Sequence, residues 1–129
     1  MRSLGWRVRA IRGAITVEAN TVEAITAAVN QLLEAIGDVN AIQPAEIVNV
    51  IFSVTPDLDA IFPAAIARQH FGWDHVPLLD VQQMAVAGSL DRCIRVLIQL
   101  NTPLGQQDMR HIYLRGAAHL RPDLAIPLS

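Results

Sequence analysis

A chain of 129 residues fits one domain, 1–129, with enough material for a sizeable core. Ten Lys and Arg against twelve Asp and Glu give a net charge of −2 and no basic stripe, which disfavours nucleic acid as a partner. Charged residues make up only 17% and mean hydropathy is +0.33, apolar enough to predict a homo-oligomer, while no apolar run approaches the roughly 18 residues that span a bilayer.

The opening stretch holds Arg2, Arg7, Arg9 and Arg12 and no acid, as a transit peptide would. The β-branched residues and single glycine of "VRAIRGAITV" instead predict a first strand at about 6–15, after a short extension at 1–7. Next, Val22, Ile25, Val29, Leu32, Leu33 and Ile36 recur at helical spacing. Asn20 with Glu23 reads as the cap of that helix and Gly37 as its left-handed end. The β-branched run 47–55 predicts a central strand with Val48, Val50, Phe52 and Val54 on one face. Pro56-Asp57 signals a turn, and Pro63 suits the first position of a short helix that carries Arg68 and closes at Gly72.

A strand at 75–79, a looser stretch at 80–92, a strand from Cys93 and a last short strand near "HIYL" complete the chain. The order β, α, β, α, β, β, β predicts an α+β fold, a mixed sheet with helices on one face. In "CIRVLIQL" the period of two puts Ile94, Val96, Ile98 and Leu100 on the core face. Cys93, Arg95, Leu97 and Gln99 take the other, so Arg95 either lies over its neighbours with its head in water or faces an anionic ligand. Cys93 alone cannot form an internal disulfide and suits a reduced, cytoplasmic protein.

His70, His75, His111 and His119 form no i, i+3 or i, i+4 ligand pair, so a metal site is not expected. The glycine signatures of nucleotide, dinucleotide and serine-hydrolase sites are missing as well. What remains is the arginine set Arg12, Arg68, Arg95 and Arg121, suited to a small ligand with more than one carboxylate because guanidinium binds carboxylate through paired charge-assisted hydrogen bonds.

"IRGAITVE" at 11–18, "TPDLDAIFPAAIAR" at 55–68, "GWDHVPLL" at 72–79, "CIRVLIQL", "RHIYL" at 110–114 and "LRPDL" at 120–124 together resemble the AroH-class monofunctional chorismate mutases. The resemblance implies a homotrimeric pseudo-α/β-barrel with active sites in clefts between subunits. It implies conversion of chorismate to prephenate, a step toward phenylalanine and tyrosine, without metal, cofactor or enzyme nucleophile. A unimolecular pericyclic reaction needs only a compactly held substrate and fixed dipoles that meet the developing charge. By this resemblance Arg95 is the cation at the breaking ether bond, and Arg12 binds a substrate carboxylate with Tyr113 beside it. Phe62, Ala64 and Arg68 form a lip from the adjacent subunit, and Leu78 and Leu79 the cleft wall. Leu120 and Arg121 belong to a C-terminal tail, 115–129, that closes over the opening. A million-fold acceleration corresponds to about 8 kcal/mol of transition-state stabilisation.

The chain departs from that pattern where the family usually has a cysteine and it has Asp80, and where the family has a glutamate and it has Gln83. If the chain turns between them, Asp80 reaches the spot of the missing carboxylate; if it stays extended, positions three apart face opposite ways and the compensation fails. Neighbouring arginines are expected to keep Asp80 ionised. Ala65 replaces a lysine of the lip, and Ser89 the second glycine of a frequent pair. The alternative function is a catalytically impaired trimeric binding module of the same fold.

Overall fold

The structure is a computed structural model that describes residues 5–120; Arg121 and the rest of the tail lie outside the described residues. In chain order it contains β1 (Arg7–Thr16), α1 (Val22–Asn40), β2 (Ile47–Val54), α2 (Pro63–Ala67), β3 (Leu78–Gln82), β4 (Cys93–Thr102) and β5 (Ile112–Leu114). Short 3-10 turns at Pro44–Glu46, Gln106–Asp108 and Arg115–His119 join them. The sheet order is β3-β2-β4-β1-β5, with β4 antiparallel to both neighbours and the outer strands β3 and β5 parallel to β2 and β1. The predicted mixed α+β sheet is therefore present, and both helices contribute to one core on one of its faces.

Alternation explains that core. Ile94, Val96, Ile98 and Leu100 of β4, Ile11 and Ile15 of β1, and Val50 and Phe52 of β2 are buried against Ile25, Val29, Leu32 and Ile36 of α1. Each such side chain contributes about 1.5–3 kcal/mol when fully buried. The helix lies so close that a Cβ on Gly13 would stand 2.9 Å from Ile36 Cδ1 and 3.0 Å from the Ile112 carbonyl oxygen. Glycine at 13 is thus what lets α1 and β5 close on the strand that carries Arg12.

Several boundaries differ from the sequence reading. Thr21, not Asn20, caps α1, accepting the Ala24 N–H at 3.1 Å. Asn20 instead binds the next loop, accepting the Asp59 and Ala60 N–H groups and donating to Asp59 Oδ1. Gly37 does not end α1, which continues to Asn40 and stops at left-handed Ala41. There Asn40 donates to the Ile36 and Arg110 carbonyls and accepts the Arg110 N–H, a tertiary link that holds the last turn in place.

A bulge between Ile47 and Asn49 inverts the start of β2, so Ile47 enters the core and Val48 is 37% exposed. The strand expected at 75–79 begins at Leu78, because its ladder starts where the Pro77 carbonyl accepts the Val50 N–H, while Val76 is still bonded back to Trp73. Pro63 opens α2 as expected, but α2 ends at Ala67 with Arg68 as its cap; Gly72, φ 84°, lies in a later turn.

Candidate active site

The sheet registers place Arg12, Arg95 and Tyr113 on the face that carries no helix. Arg95 pairs with Ala14 of β1 and Ser53 of β2, Arg12 with Leu97, and Tyr113 with Ala14. Paired residues share a face, so three strands present these side chains in one direction. They surround a hollow of about 220 Å³, lined also by Ile51, Ser53 and Leu97. Sequence reasoning missed Ile51 and Ser53, though pairing the core-facing Phe52 with Val96 would have set them beside Arg95.

Arg12 is exposed, and its own N–H donates to His111 Nδ1 at 2.9 Å, just before β5 begins. Tyr113 is only 6% exposed and packs in a second small cluster with Ala14, Cys93 and Ala117, with Leu90 and Leu120 against it. Leu120, the last described residue, is thus on the arginine side of the sheet. Arg95 is half-buried, and its Nε has no hydrogen-bond partner among the described residues. Burial pushes the Cys93 thiol above its ordinary range, and the adjacent Arg95 guanidinium pulls partly back.

A second group lies elsewhere. Asp80 pairs with core-facing Phe52, so it points to the helix side, and its Oδ1 accepts the Ala64 N–H at 3.0 Å in the first turn of α2. Arg68 is its electrostatic partner, and Phe62, 71% exposed, stands at the mouth of an apolar cavity of about 540 Å³ that Asp80 also lines. Burial raises the Asp80 carboxyl above the usual 3.8, against the opposing pull of the Ala64 N–H and Arg68. The direction is opposite to the sequence expectation, because loss of solvent outweighs the single nearby cation.

β3 is extended through Gln82, so relocation of the carboxylate from position 83 to Asp80 fails within one chain. Gln83 continues the ladder, N–H to the Val54 carbonyl at 2.8 Å, in the same alternation as Leu79 and Val81 and therefore on the Arg95 side. Its Oε1 is buried without a partner among the described residues. Leu79, 56% exposed, also faces the arginine side, whereas Leu78 packs against the main core. The two leucines therefore do not share a wall. The sequence-predicted residues form two groups, Arg12, Leu79, Gln83, Arg95, Tyr113 and Leu120 on one face, and Phe62, Ala64, Arg68 and Asp80 on the other. Among the described residues no cluster of three or more His, Cys, Asp or Glu side chains could hold a metal ion, and no helix is long and apolar enough to cross a membrane.

Comparison with known proteins places this arrangement. Residues 8–124 match the family described as chorismate mutase type I. The chain is 44% identical over 119 residues to the chorismate mutase AroH of Bacillus subtilis, covering 92% of this chain and 94% of that one. It is 52% identical over 118 residues to the chorismate mutase AroH of Thermus thermophilus, covering 91% and 96%. A solved chorismate mutase from Clostridium thermocellum superposes with a TM-score of 0.82 at 43% identity, over 85% of this chain and 97% of that one.

Proposed function

The chain belongs to the type I chorismate mutase family, and we propose that the Arg12–Arg95–Tyr113 face is where its substrate is held. Its activity is that family's: it is an isomerase that converts chorismate to prephenate, in aromatic amino-acid biosynthesis. The observation that carries the site assignment is the common direction of three side chains from β1, β4 and β5 around one hollow.

The rearrangement breaks an ether carbon–oxygen bond and forms a carbon–carbon bond in the same molecule. No proton is transferred and no external electron pair enters, so the protein must restrict the substrate to a compact conformer and stabilise charge. Bond breaking runs ahead of bond making, and negative charge grows on the ether oxygen. Arg95, carried at the middle of the sheet, places a guanidinium there and stabilises the transition state more than the ground state. The partnerless Nε of Arg95 supports this reading, since a buried donor needs an acceptor. Arg12 binds a carboxylate, and Tyr113 packs beside it.

The second group, Phe62, Ala64, Arg68 and Asp80, completes the cleft from a neighbouring subunit of a homotrimer. Val8, Leu79 and Val81 support that assembly, because they expose apolar surface on the same open face as the arginines. Asp80 then enters the site of the next subunit, not its own, so it meets the chemistry beside Arg68. Leu120 and Arg121 belong to the tail that closes the cleft. With this reading goes a single domain over 1–129 in the cytoplasm, where a free, buried Cys93 is stable.

The test is the ultraviolet absorbance of chorismate incubated with purified protein, read together with its mass in solution. Rapid loss of chorismate with prephenate formed, by a trimer, is the expected result. Binding of a bicyclic transition-state analogue without consumption of chorismate would instead identify a binding module.

A further inference from the structure

The strand that carries Arg95 begins in an unusual way. Arg92, immediately before β4, is left-handed with φ 43°, a conformation that costs a residue with a Cβ and persists only where surroundings impose it. The surroundings here are specific. The Asp57 carboxylate accepts the Arg92 N–H through both oxygens, at 2.9 and 3.2 Å, and also accepts the Thr55 hydroxyl hydrogen. Thr55 in turn binds both backbone polar groups of Cys93, its Oγ1 accepting the Cys93 N–H at 3.0 Å and its N–H donating to the Cys93 carbonyl at 3.1 Å. Arg92 is tied from the far side as well, by Nε to the Val17 carbonyl and by its own carbonyl to the Val17 N–H.

Thr55 is 5% exposed, so its hydroxyl is placed by the fold and not by water. Cys93 shares a face with Arg95, and its thiol lies in the guanidinium's field. A slight burial that raises the Asp57 carboxyl is outweighed by the Thr55 hydroxyl and the Arg92 N–H, which leave it below its ordinary value, as suits a carboxylate that works ionised. From the Asp57 carboxylate to the Arg95 guanidinium there is thus an unbroken series of hydrogen bonds, backbone and one buried side chain.

We propose that Thr55 and Asp57 are positioning residues for the rearrangement, which fix the start of β4 and thereby the aim of Arg95. The inference rests on the reading that Arg95 faces the ether oxygen. A displaced guanidinium still attracts a dianionic substrate but no longer meets the charge that develops only in the transition state, so the loss falls on kcat and not on KM. Misplacement on the order of 1 Å can cost about a hundredfold in rate.

The experiment is steady-state kinetics with chorismate for Thr55→Val, Thr55→Ser and Asp57→Asn, each alone and with Arg95→Ala. Thr55→Val and Asp57→Asn lower kcat about ten- to a hundredfold with KM within about twofold of wild type, and Thr55→Ser, which keeps the hydroxyl, restores it. Combined with Arg95→Ala, neither change lowers kcat further, because what they position is gone. Equal losses in both backgrounds, as a merely smaller folded fraction gives, overturn the inference, and so does an unchanged kcat in the single variants. If Thr55→Val does not fold, Asp57→Asn, which keeps shape and one acceptor, decides in the same way. Full activity of Arg95→Ala would overturn the site reading itself, a result separate from these.

Discussion

The two groups of candidate site residues are mounted differently. Arg12, Arg95 and Tyr113 stand on strands paired on both sides or locked beside one that is, with β1 and β4 in register over all ten residues of each. Phe62, Ala64, Arg68 and Asp80 stand on a loop, a five-residue helix and an edge strand paired on one side only. Side chains that must meet a charge appearing in the transition state are carried by the stiffest part of the sheet. Those that shape an entrance are carried at its margin.

The sharpest way to break this comparison is Arg95→Ala. It should lower kcat by about a thousandfold or more, as loss of a donor to developing negative charge does elsewhere, with the oligomer intact by light scattering. Comparable loss from Phe62→Ala would erase the distinction between the two groups.

Mixing subunits tests whether the groups meet across an interface. Arg95→Ala and Phe62→Asp, the second placing a repelling charge in the lip, should each be poorly active. Co-refolded, they should recover about a quarter of wild-type sites, the fraction in which both halves are intact. No recovery in demonstrated mixed trimers would mean that each chain holds a whole site.

The two carboxyls give a smaller effect of opposite sign. Burial raises Asp80, so its stabilising contribution is present below 3.8 and lost as pH rises through its folded value. Asp80→Asn, which retains the acceptor for the Ala64 N–H, should therefore leave Tm at pH 7 equal or higher. Asp57 is lowered by its hydrogen bonds, so its contribution is present above 3.8 and lost as pH falls through its folded value. Asp57→Asn should lower Tm at pH 7, and the deficit should fade in acid. Thermal melts of both variants from pH 3 to 7 check this, and slopes of the same sign would contradict it.

The smallest expected change is from Gln83→Glu. A carboxylate on the Arg95 side of β3 should pair with the arginines there and raise kcat/KM a few-fold. A decrease would mean that the chain has adapted to a neutral group at 83.

The split between these groups was only half legible in the sequence. Arg95 could be assigned a face because β4 has an unbroken period of two in the middle of the sheet, and the helix 22–40 was legible from its apolar spacing. Asp80 could not, since its direction depends on where β3 starts, and that is set by a partner: Pro77 offers its carbonyl to Val50. The end of α1 was hidden for the same reason, because Asn40 is bound to Arg110, seventy residues away. Val48 left its expected face through a bulge that only the pairing of β2 with β4 reveals. The carboxylate of Asp57 was read as a turn former, and what it does for Arg92 is visible only when position 57 meets position 92.

The first strand lies between the last two, β4 and β5, with partners about eighty to a hundred residues away in sequence. A chain emerging from the ribosome can fold α1 early, but Arg12 has no neighbours until the polypeptide is almost complete. Every contact around it closes a long loop, which slows folding and delays it to the final stage of synthesis. A prematurely terminated product lacking β5 is therefore left with an open β1 edge and an unfinished hollow, prone to pair with other chains and without a substrate site to offer.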